Sequence, residues 1–235
     1  MNFAELNSNS RTRFLEVSGY LRYISTLEPP PGSGVEVPVE IKVMKGLFYV
    51  HLYSALEKTI NLVAETTLTY VTTSSHPLRE IRPSLLAVAL QNQIKSVRDC
   101  STSKVLQKSV SLMEAVNSSA AANIADSTLA SWLQNIWAST INELLDTFGV
   151  DSYRVTGRDK FYVDEVVDKR NAVAHGRDSA MSVGERFRCS DLETRFNVVR
   201  TVAFQVVESF REYCENNQFT KAQMLAELAG LELQE

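Results

Sequence analysis

The chain has 235 residues, of which 44% are hydrophobic and 22% charged, and its formal net charge is −4. This length allows one full-sized domain or two small ones, and the composition is typical of a globular chain, neither fibrous nor disordered. The negative charge does not indicate a general nucleic-acid or membrane-surface binder, so any nucleic-acid site has to be local. The three cysteines lack a paired spacing, which fits small buried side chains better than disulfides or a zinc site.

Two features of the sequence predict a cytoplasmic protein that does not bind membranes. The N-terminal segment MNFAELNSNSRTRF has an acidic residue and no apolar core, so it does not have the pattern of a signal peptide. No apolar run approaches the length of about 20 residues that a membrane-spanning helix needs.

The first half of the chain shows helical spacing of its apolar residues. A helix is predicted over residues 11–27, ended by the proline-rich segment EPPPGSGVEVP. A long helix is predicted from Val39 to about Thr73. The segments LLAVALQNQIKSVRD and TSKVLQKSVSLMEAV are predicted to be helical, but their serines leave the join and the ends of these helices open.

The second half shows caps as well as spacing, and beta-hairpin turn pairs are absent from the sequence. We therefore predict an all-α bundle in a single domain over residues 1–235, with a core of about 11–215. The predicted elements are a helix over 127–148 with Asp126 as N-cap and Gly149 as C-terminal cap, a helix over about 158–175 ended by Gly176, a helix that starts at a capping box of Ser190 and Glu193, and a terminal helix over about 219–235.

The segment DKRNAVAHGRD, residues 168–178, places an arginine where a helix should be apolar. Val163, Val166 and Val167 form a stripe at spacings of three and four, and Arg170 continues this stripe in place of an apolar residue. Burying an unpaired guanidinium costs several kcal/mol, so Arg170 must have a partner or line a cleft.

The spacing leaves two interpretations of this segment open. In the first, Arg170 forms a salt bridge at the edge of the core, and Asn171 and His175 only cap the helix. In the second, Arg170 and His175 form a site, although they lie about 140° apart around an ideal helix. They meet only if the last turn loosens before Gly176 or if a second copy of the helix faces the first. A twofold dimer would gather two arginines and two histidines in one cleft that suits a phosphodiester.

The residues of this segment resemble the motif of HEPN-domain ribonucleases, in which an arginine is followed after four to six residues by a histidine. Asn171 fits the polar residue that often follows the arginine. The segments IKVMKGLFYVHLYSALEKTIN, LQNIW and VDEVVDKRNAVAHGR, in this order, resemble the MAE_28990/MAE_18760-like branch over about residues 11–215. The resemblance implies a HEPN-like antiparallel helical bundle with extra flanking helices, which forms a homodimer with the active site at the dimer interface.

The resemblance also implies an activity, that of an endoribonuclease that needs no metal or other cofactor and uses the 2′-hydroxyl of RNA as nucleophile. His175 would be the general acid or base, Arg170 would hold the scissile phosphate, and Asn171 would orient the phosphate or the histidine. The family context implies bacterial or archaeal defence, or a toxin restrained by an antitoxin or another defence-locus protein. The alternative is a non-catalytic HEPN module for dimerisation or partner binding.

Glu57 and Asn61, four residues apart on the long predicted helix, are candidate supporting residues. In a HEPN-like arrangement Glu57 pairs with Arg170 or orients His175. The other interpretation is a solvated Glu57 that pairs with Lys58 or Asn61 on the surface.

Lys169, Gly176 and Arg177 are further candidate supporting residues. Gly176 ends the helix, and the two cations belong to a locally basic stretch that either contacts the RNA backbone or is simply solvated. The other cations of this stretch are Arg154, Arg158, Arg186 and Arg188. The scattered histidines and cysteines show no metal-ligand spacing, so no metal site is predicted.

Overall fold

The computed structural model describes residues 2–232 of the chain, except for the side chains of residues 126–127, 228 and 231–232. Apart from two isolated bridges, the regular structure of these residues is helical, which confirms the all-α prediction. Residues 233–235 of the predicted terminal helix lie outside the described residues. The α-helices are α1 (Phe3–Leu27), α2 (Val39–Thr73), α3 (Pro83–Ala89), α4 (Gln91–Arg98), α5 (Val105–Val116), α6 (Ala138–Phe148), α7 (Gly157–Ala174), α8 (Ala180–Gly184), α9 (Cys189–Glu215) and α10 (Lys221–Glu232).

The long helix α2 lies at the centre of the bundle and has the bounds that its apolar spacing predicts. Helices α1, α7, α8 and α9 all pack against it. It is therefore buried on several sides, with Phe48, Leu52, Leu56 and Ile60 fully buried. A charged side chain on its buried faces costs free energy unless it finds a partner.

Helix α1 begins at Phe3, earlier than the predicted start at residue 11. A capping box explains the earlier start. The Asn2 side chain accepts a hydrogen bond from the backbone N–H of Glu5 (2.9 Å), and the Glu5 carboxylate accepts one from the N–H of Asn2 (3.2 Å). The added turns bury Leu6 and Ser10.

The prediction of one helix over residues 127–148 is wrong, because the only α-helix in this segment is α6, from Ala138 to Phe148. The residues before it form a short 3-10 turn at Asp126–Leu129 and then irregular turns. Tertiary hydrogen bonds replace helical ones here: the Tyr53 hydroxyl accepts from the N–H of Ile136 (3.1 Å), and Asp164 accepts from that of Ala138 (2.9 Å). The predicted left-handed cap at Gly149 is present, with φ of 71°.

The start of α9 also differs from the prediction, because the N-cap residue is Arg188 and the carboxylate that accepts from its N–H is Asp191, instead of Ser190 and Glu193. The Asp191 carboxylate accepts from the Arg188 N–H at 2.8 Å. The next N–H, that of Cys189, donates to the Glu28 carboxylate at the end of α1 (2.9 Å). This contact with α1 sets the helix start one residue before Ser190.

Helix α7 carries the unusual segment and begins and ends within one residue of the predicted bounds. Its valines at 163, 166 and 167 are fully buried, as the stripe predicts. Within the described residues, no helix combines the length and the apolarity needed to cross a membrane.

Candidate functional site

Arg170 lies on the inner side of α7, where its guanidinium faces α2. Its Cζ atom lies 3.8 Å from the centroid of the Tyr53 ring, a cation–π contact between the two helices. The Arg170 side chain is only 19% exposed. The arginine is therefore held against an aromatic surface at the edge of the core, and it does not extend into solvent.

Hydrogen bonds to neighbouring side chains hold the guanidinium in place against the Tyr53 ring. Nη1 donates to the side-chain oxygen of Asn171 (2.7 Å) and, more weakly, to that of Asn135 (3.4 Å). Nη2 lies 3.5 Å from Oε1 of Glu57, a long ion pair. Within the described residues Nε–H and the second N–H of Nη2 have no acceptor. Two N–H groups of the guanidinium are thus free to bind an anion.

Tyr53, Glu57 and Asn61 follow each other at one-turn intervals along α2, and all three take part in holding this site. The Tyr53 hydroxyl donates to the Glu57 carboxylate at 2.8 Å. The Asn61 amide donates to the backbone carbonyls of Glu57 (2.8 Å) and Leu133 (3.4 Å). Of the two interpretations of Glu57, the structure shows the ion pair with Arg170.

Burial raises the pKa of Tyr53 to about 12, and the neighbouring Glu57 carboxylate adds to the shift, against the hydrogen bond from the Ile136 N–H. The phenol therefore stays protonated at neutral pH, and its hydrogen is committed to Glu57. Tyr53 therefore acts here as a hydrogen-bond donor that holds the Glu57 carboxylate.

His175 lies apart from this network. It is the C-cap residue of α7, and its side chain is exposed and makes no hydrogen bond or ion pair within the described residues. Gly176 follows in the left-handed conformation (φ of 69°) and ends the helix. Because α7 stays α-helical up to Ala174, its last turn does not unwind enough to bring His175 to Arg170 in the same chain.

The cations next to the motif are paired with carboxylates. Asp168 accepts from Arg177 (2.6 Å) and from Lys169 (3.2 Å), and the hydrogen bond from Arg177 is the main cause that lowers the Asp168 pKa. Arg154 pairs with two aspartates, and Arg186 lies 3.6 Å from Asp178. The basic stretch is therefore largely neutralised by its own neighbours, and its contact with RNA stays a prediction.

The structure thus brings Arg170, Asn171 and Glu57 together, and Asn61 joins them through its hydrogen bond to the Glu57 backbone. The other predicted site residues lie outside this network: His175, Gly176, Lys169 and Arg177. Tyr53 and Asn135 are the site residues that the sequence analysis missed. Tyr53 shares one helix face with Glu57 and Asn61, because the three residues repeat every four positions, but this spacing does not reveal the contact with Arg170. Asn135 had no signal in the sequence, because its segment was predicted to be helical.

In the part of the chain that the structure describes, no group of three or more His, Cys, Asp or Glu side chains is placed to hold a metal ion.

Comparison with known proteins assigns the chain to a family. The family model described as RiboL-PSP-HEPN matches residues 8–216, a range that contains Arg170, Asn171 and His175. A search of curated proteins and a search of solved structures each found no match. The match confirms the HEPN prediction, whereas the more specific branch is not confirmed and stays a prediction. The chain therefore belongs to the RiboL-PSP-HEPN family.

Proposed function

We propose that the chain is a metal-independent endoribonuclease in which Arg170 binds the scissile phosphate and His175 transfers a proton. The observation that carries the proposal is the state of Arg170: a guanidinium on an apolar stripe, stacked on Tyr53, paired with Glu57 and left with unused N–H donors. An arginine fixed in this way can stabilise charge that develops on a phosphate without having to reorganise.

The proposed reaction needs no water and no cofactor. The 2′-hydroxyl of the RNA attacks the adjacent phosphorus and loses its proton to a base, while the bond from phosphorus to the 5′-oxygen breaks and that oxygen takes up a proton. The products are a 2′,3′-cyclic phosphate and a 5′-hydroxyl. The His175 imidazole is exposed, and an imidazole has one nitrogen that can accept a proton and one that can donate it, which suits either proton transfer.

The site in this proposal is completed by a second copy of the chain. Arg170 faces α2, whereas His175 is exposed at the end of α7, so one chain does not join them. A twofold dimer that packs the ends of two α7 helices together places His175 of one copy near Arg170 of the other. Asn171, which accepts from Arg170, would orient the guanidinium or the phosphate.

The test is cleavage of single-stranded RNA by the purified protein in EDTA. We expect cleavage by the wild type, with a 2′,3′-cyclic phosphate detected by mass spectrometry, and no cleavage of RNA that carries 2′-deoxy nucleotides. The His175→Ala and Arg170→Ala variants should each lose about 100-fold or more in rate.

Two variants serve as matched controls for this test. His76→Ala removes another histidine, which lies beside Glu80, and Arg211→Ala removes an arginine of α9 that pairs with Glu208 and Glu215. Both should cleave at the wild-type rate. Absence of cleavage, dependence on added metal, or equal loss in variants and controls would contradict the proposal.

The biological setting is a part of the same proposal and follows from the family context alone: a defence factor or toxin that an antitoxin or another defence-locus protein restrains. Expression in bacteria tests it. The wild type should slow growth, and His175→Ala should relieve the effect at equal protein level.

The second candidate function is a non-catalytic module for dimerisation or partner binding. Two observations favour it: the isolation of His175 and the pairing of the nearby cations with carboxylates. RNA that stays intact in all reaction conditions, together with a stable complex that survives His175→Ala, would favour this candidate over the nuclease.

A further inference from the structure

Tyr53 makes the closest arginine–aromatic contact of the described residues. The distance from Arg170 Cζ to the Tyr53 ring centroid is 3.8 Å, whereas the other such contacts range from 4.9 to 5.5 Å. At 3.8 Å the guanidinium is in van der Waals contact with the ring. The ring therefore restricts the guanidinium as well as attracting its charge.

The Tyr53 ring itself is fixed at both ends. Its side chain is almost fully buried between α2 and its neighbours, with 1% exposed. Its hydroxyl donates to Glu57 and accepts from the backbone N–H of Ile136 (3.1 Å), and the carbonyl of Gln134 lies 3.4 Å away. Because the hydroxyl oxygen lies at the end of the ring, these bonds prevent the ring from shifting away from α2 without breaking both of them.

The same hydroxyl also fixes the backbone segment that carries Asn135. Ile136 is anchored on Tyr53, and Leu133 accepts from Asn61, so the segment is bound to α2 on both sides of Asn135. Asn135 in turn accepts from Nη1 of Arg170 at 3.4 Å. Tyr53 thus contacts the face of the Arg170 guanidinium with its ring, and through its hydroxyl it also fixes Asn135, which contacts the edge of the guanidinium.

We propose that Tyr53 is a positioning residue for phosphate binding. It holds the Arg170 guanidinium against its ring, and its hydroxyl holds the segment 134–136, which supplies Asn135 to the edge of the guanidinium. Nε–H and one N–H of Nη2 then remain for phosphate oxygens. Fixing the guanidinium before substrate binds removes the ordering cost from the reaction step. This inference rests on the proposed function, because it assumes that Arg170 acts on the scissile phosphate.

The first test is a kinetic cycle with Tyr53→Leu, Tyr53→Phe and Arg170→Ala. Tyr53→Leu removes the stacking surface, and we expect a loss of about tenfold in kcat, with KM changed less. Tyr53→Phe keeps the ring but loses the hydroxyl that holds Ile136, so it should recover only part of this loss. In the Arg170→Ala background, Tyr53→Leu should cause no further loss, since a positioning residue acts only through the group that it positions.

Tyr162→Leu is the matched control for the cycle. It removes another aromatic partner of an arginine, Arg195, at a ring distance of 5.0 Å, and it lies on the same helix as Arg170. It should leave kcat unchanged. Equal loss in Tyr162→Leu, or a loss from Tyr53→Leu that persists in full in the Arg170→Ala background, would overturn the inference.

The second test is independent of activity and detects the contact between Arg170 and the Tyr53 ring by NMR. The Nε–Hε resonance of Arg170, assigned by its absence in Arg170→Lys, should be shifted by the ring current of Tyr53. The shift should persist in Tyr53→Phe and Tyr162→Leu and disappear in Tyr53→Leu. An unshifted wild-type resonance overturns the inference even if the protein cleaves RNA. A shifted resonance in a wild-type protein that cleaves no RNA instead contradicts the proposed function, and with it the role of Tyr53 in phosphate binding.

Discussion

Lys45 carries a charge at a position where its side chain is only 2% exposed. Its ammonium group pairs with Glu28 at 2.9 Å and donates to the carbonyl of Phe187 at 2.6 Å. The second oxygen of Glu28 accepts from the N–H of Cys189, so one buried ion pair ties together the end of α1, the start of α2 and the start of α9. Each charge depends on the other for its desolvation to be tolerated.

Lys45→Met tests this dependence, because methionine fills nearly the same volume without the charge. We expect the free energy of unfolding to fall by about 3 kcal/mol, since Glu28 then remains buried with only one hydrogen bond. Urea denaturation measures the change. The control is Lys42→Met, whose partner Glu36 is 88% exposed, and it should cost less than about 1 kcal/mol. Equal effects of the two substitutions would refute the role assigned to burial.

Glu28 gives the same ion pair a dependence on pH. Burial alone would raise its pKa, but the hydrogen bond from Cys189 and the pairing with Lys45 outweigh burial and hold the pKa below the ordinary 4.5. A lowered native pKa means that the stabilisation is complete above the unfolded pKa and is lost as the pH falls through the native pKa. The difference in unfolding free energy between the wild type and Glu28→Gln should therefore be largest at neutral pH and shrink below about pH 4.5. A difference that is constant with pH would show that Glu28 is not ionised in the folded protein.

Among single residues, the sequence predicted the charged side chains that stand at positions where the helical pattern predicts burial. Arg170 was conspicuous because it replaces an apolar residue on a helical stripe, and Glu57 because it lies on a helix that has to be buried. Tyr53 was missed because an aromatic residue on a buried helix needs no special explanation. Its role depends on which side chain lies over its ring, and a single sequence does not contain that information.

Helices α2 and α8 approach so closely that only glycine fits at two points of their contact. A Cβ atom added to Gly184 would lie 1.8 Å from the carbonyl oxygen of Lys42, and one added to Gly46 would lie 1.9 Å from that of Ala180. Both obstacles are backbone atoms, which cannot turn away as a flexible side chain would. The close approach places the segment after the motif directly on the start of α2.

Gly184→Ala should therefore destabilise the fold by about 3 kcal/mol, because a methyl group can enter only if the two helices move apart. Gly46→Ala should behave in the same way. The control is Gly19→Ala on α1, where an added Cβ meets nothing within 4 Å. That substitution should stabilise the protein by about 0.5–1 kcal/mol through helix propensity. Thermal unfolding compares the three variants, and a tolerated Gly184→Ala would mean that α8 does not pack on α2 as described.

At the scale of helices, the sequence predicted α2 and α7 well because local spacing and burial agree along them. It failed where tertiary partners replace local ones. The backbone groups of Leu133, Ile136 and Ala138 bond to Asn61, Tyr53 and Asp164. The segment before α6 therefore does not need to be helical. The α9 start moved for a similar reason, since Glu28 binds the N–H of Cys189. Neither partner is visible in the local pattern.

For the whole molecule, the proposed function implies that the chain acts as a pair. The net charge of −4 and the paired cations near the motif give little general attraction for RNA, so binding would rest on the few donors of the site itself. Arg170 and His175 do not meet in one chain, and the proposed dimer is what brings them together. Complementation between two inactive variants tests this arrangement directly.

Co-expression of Arg170→Ala and His175→Ala, each with a different affinity tag, yields mixed dimers that can be purified through both tags. A mixed dimer keeps one arginine and one histidine on different copies. If the site joins residues of the two copies, one intact site forms, and the mixed dimer should cleave RNA at about half the wild-type rate. Each variant alone should remain inactive, and a mixture of the two without shared dimers is the control. An inactive mixed dimer would mean that Arg170 and His175 act within one chain or that they do not act together.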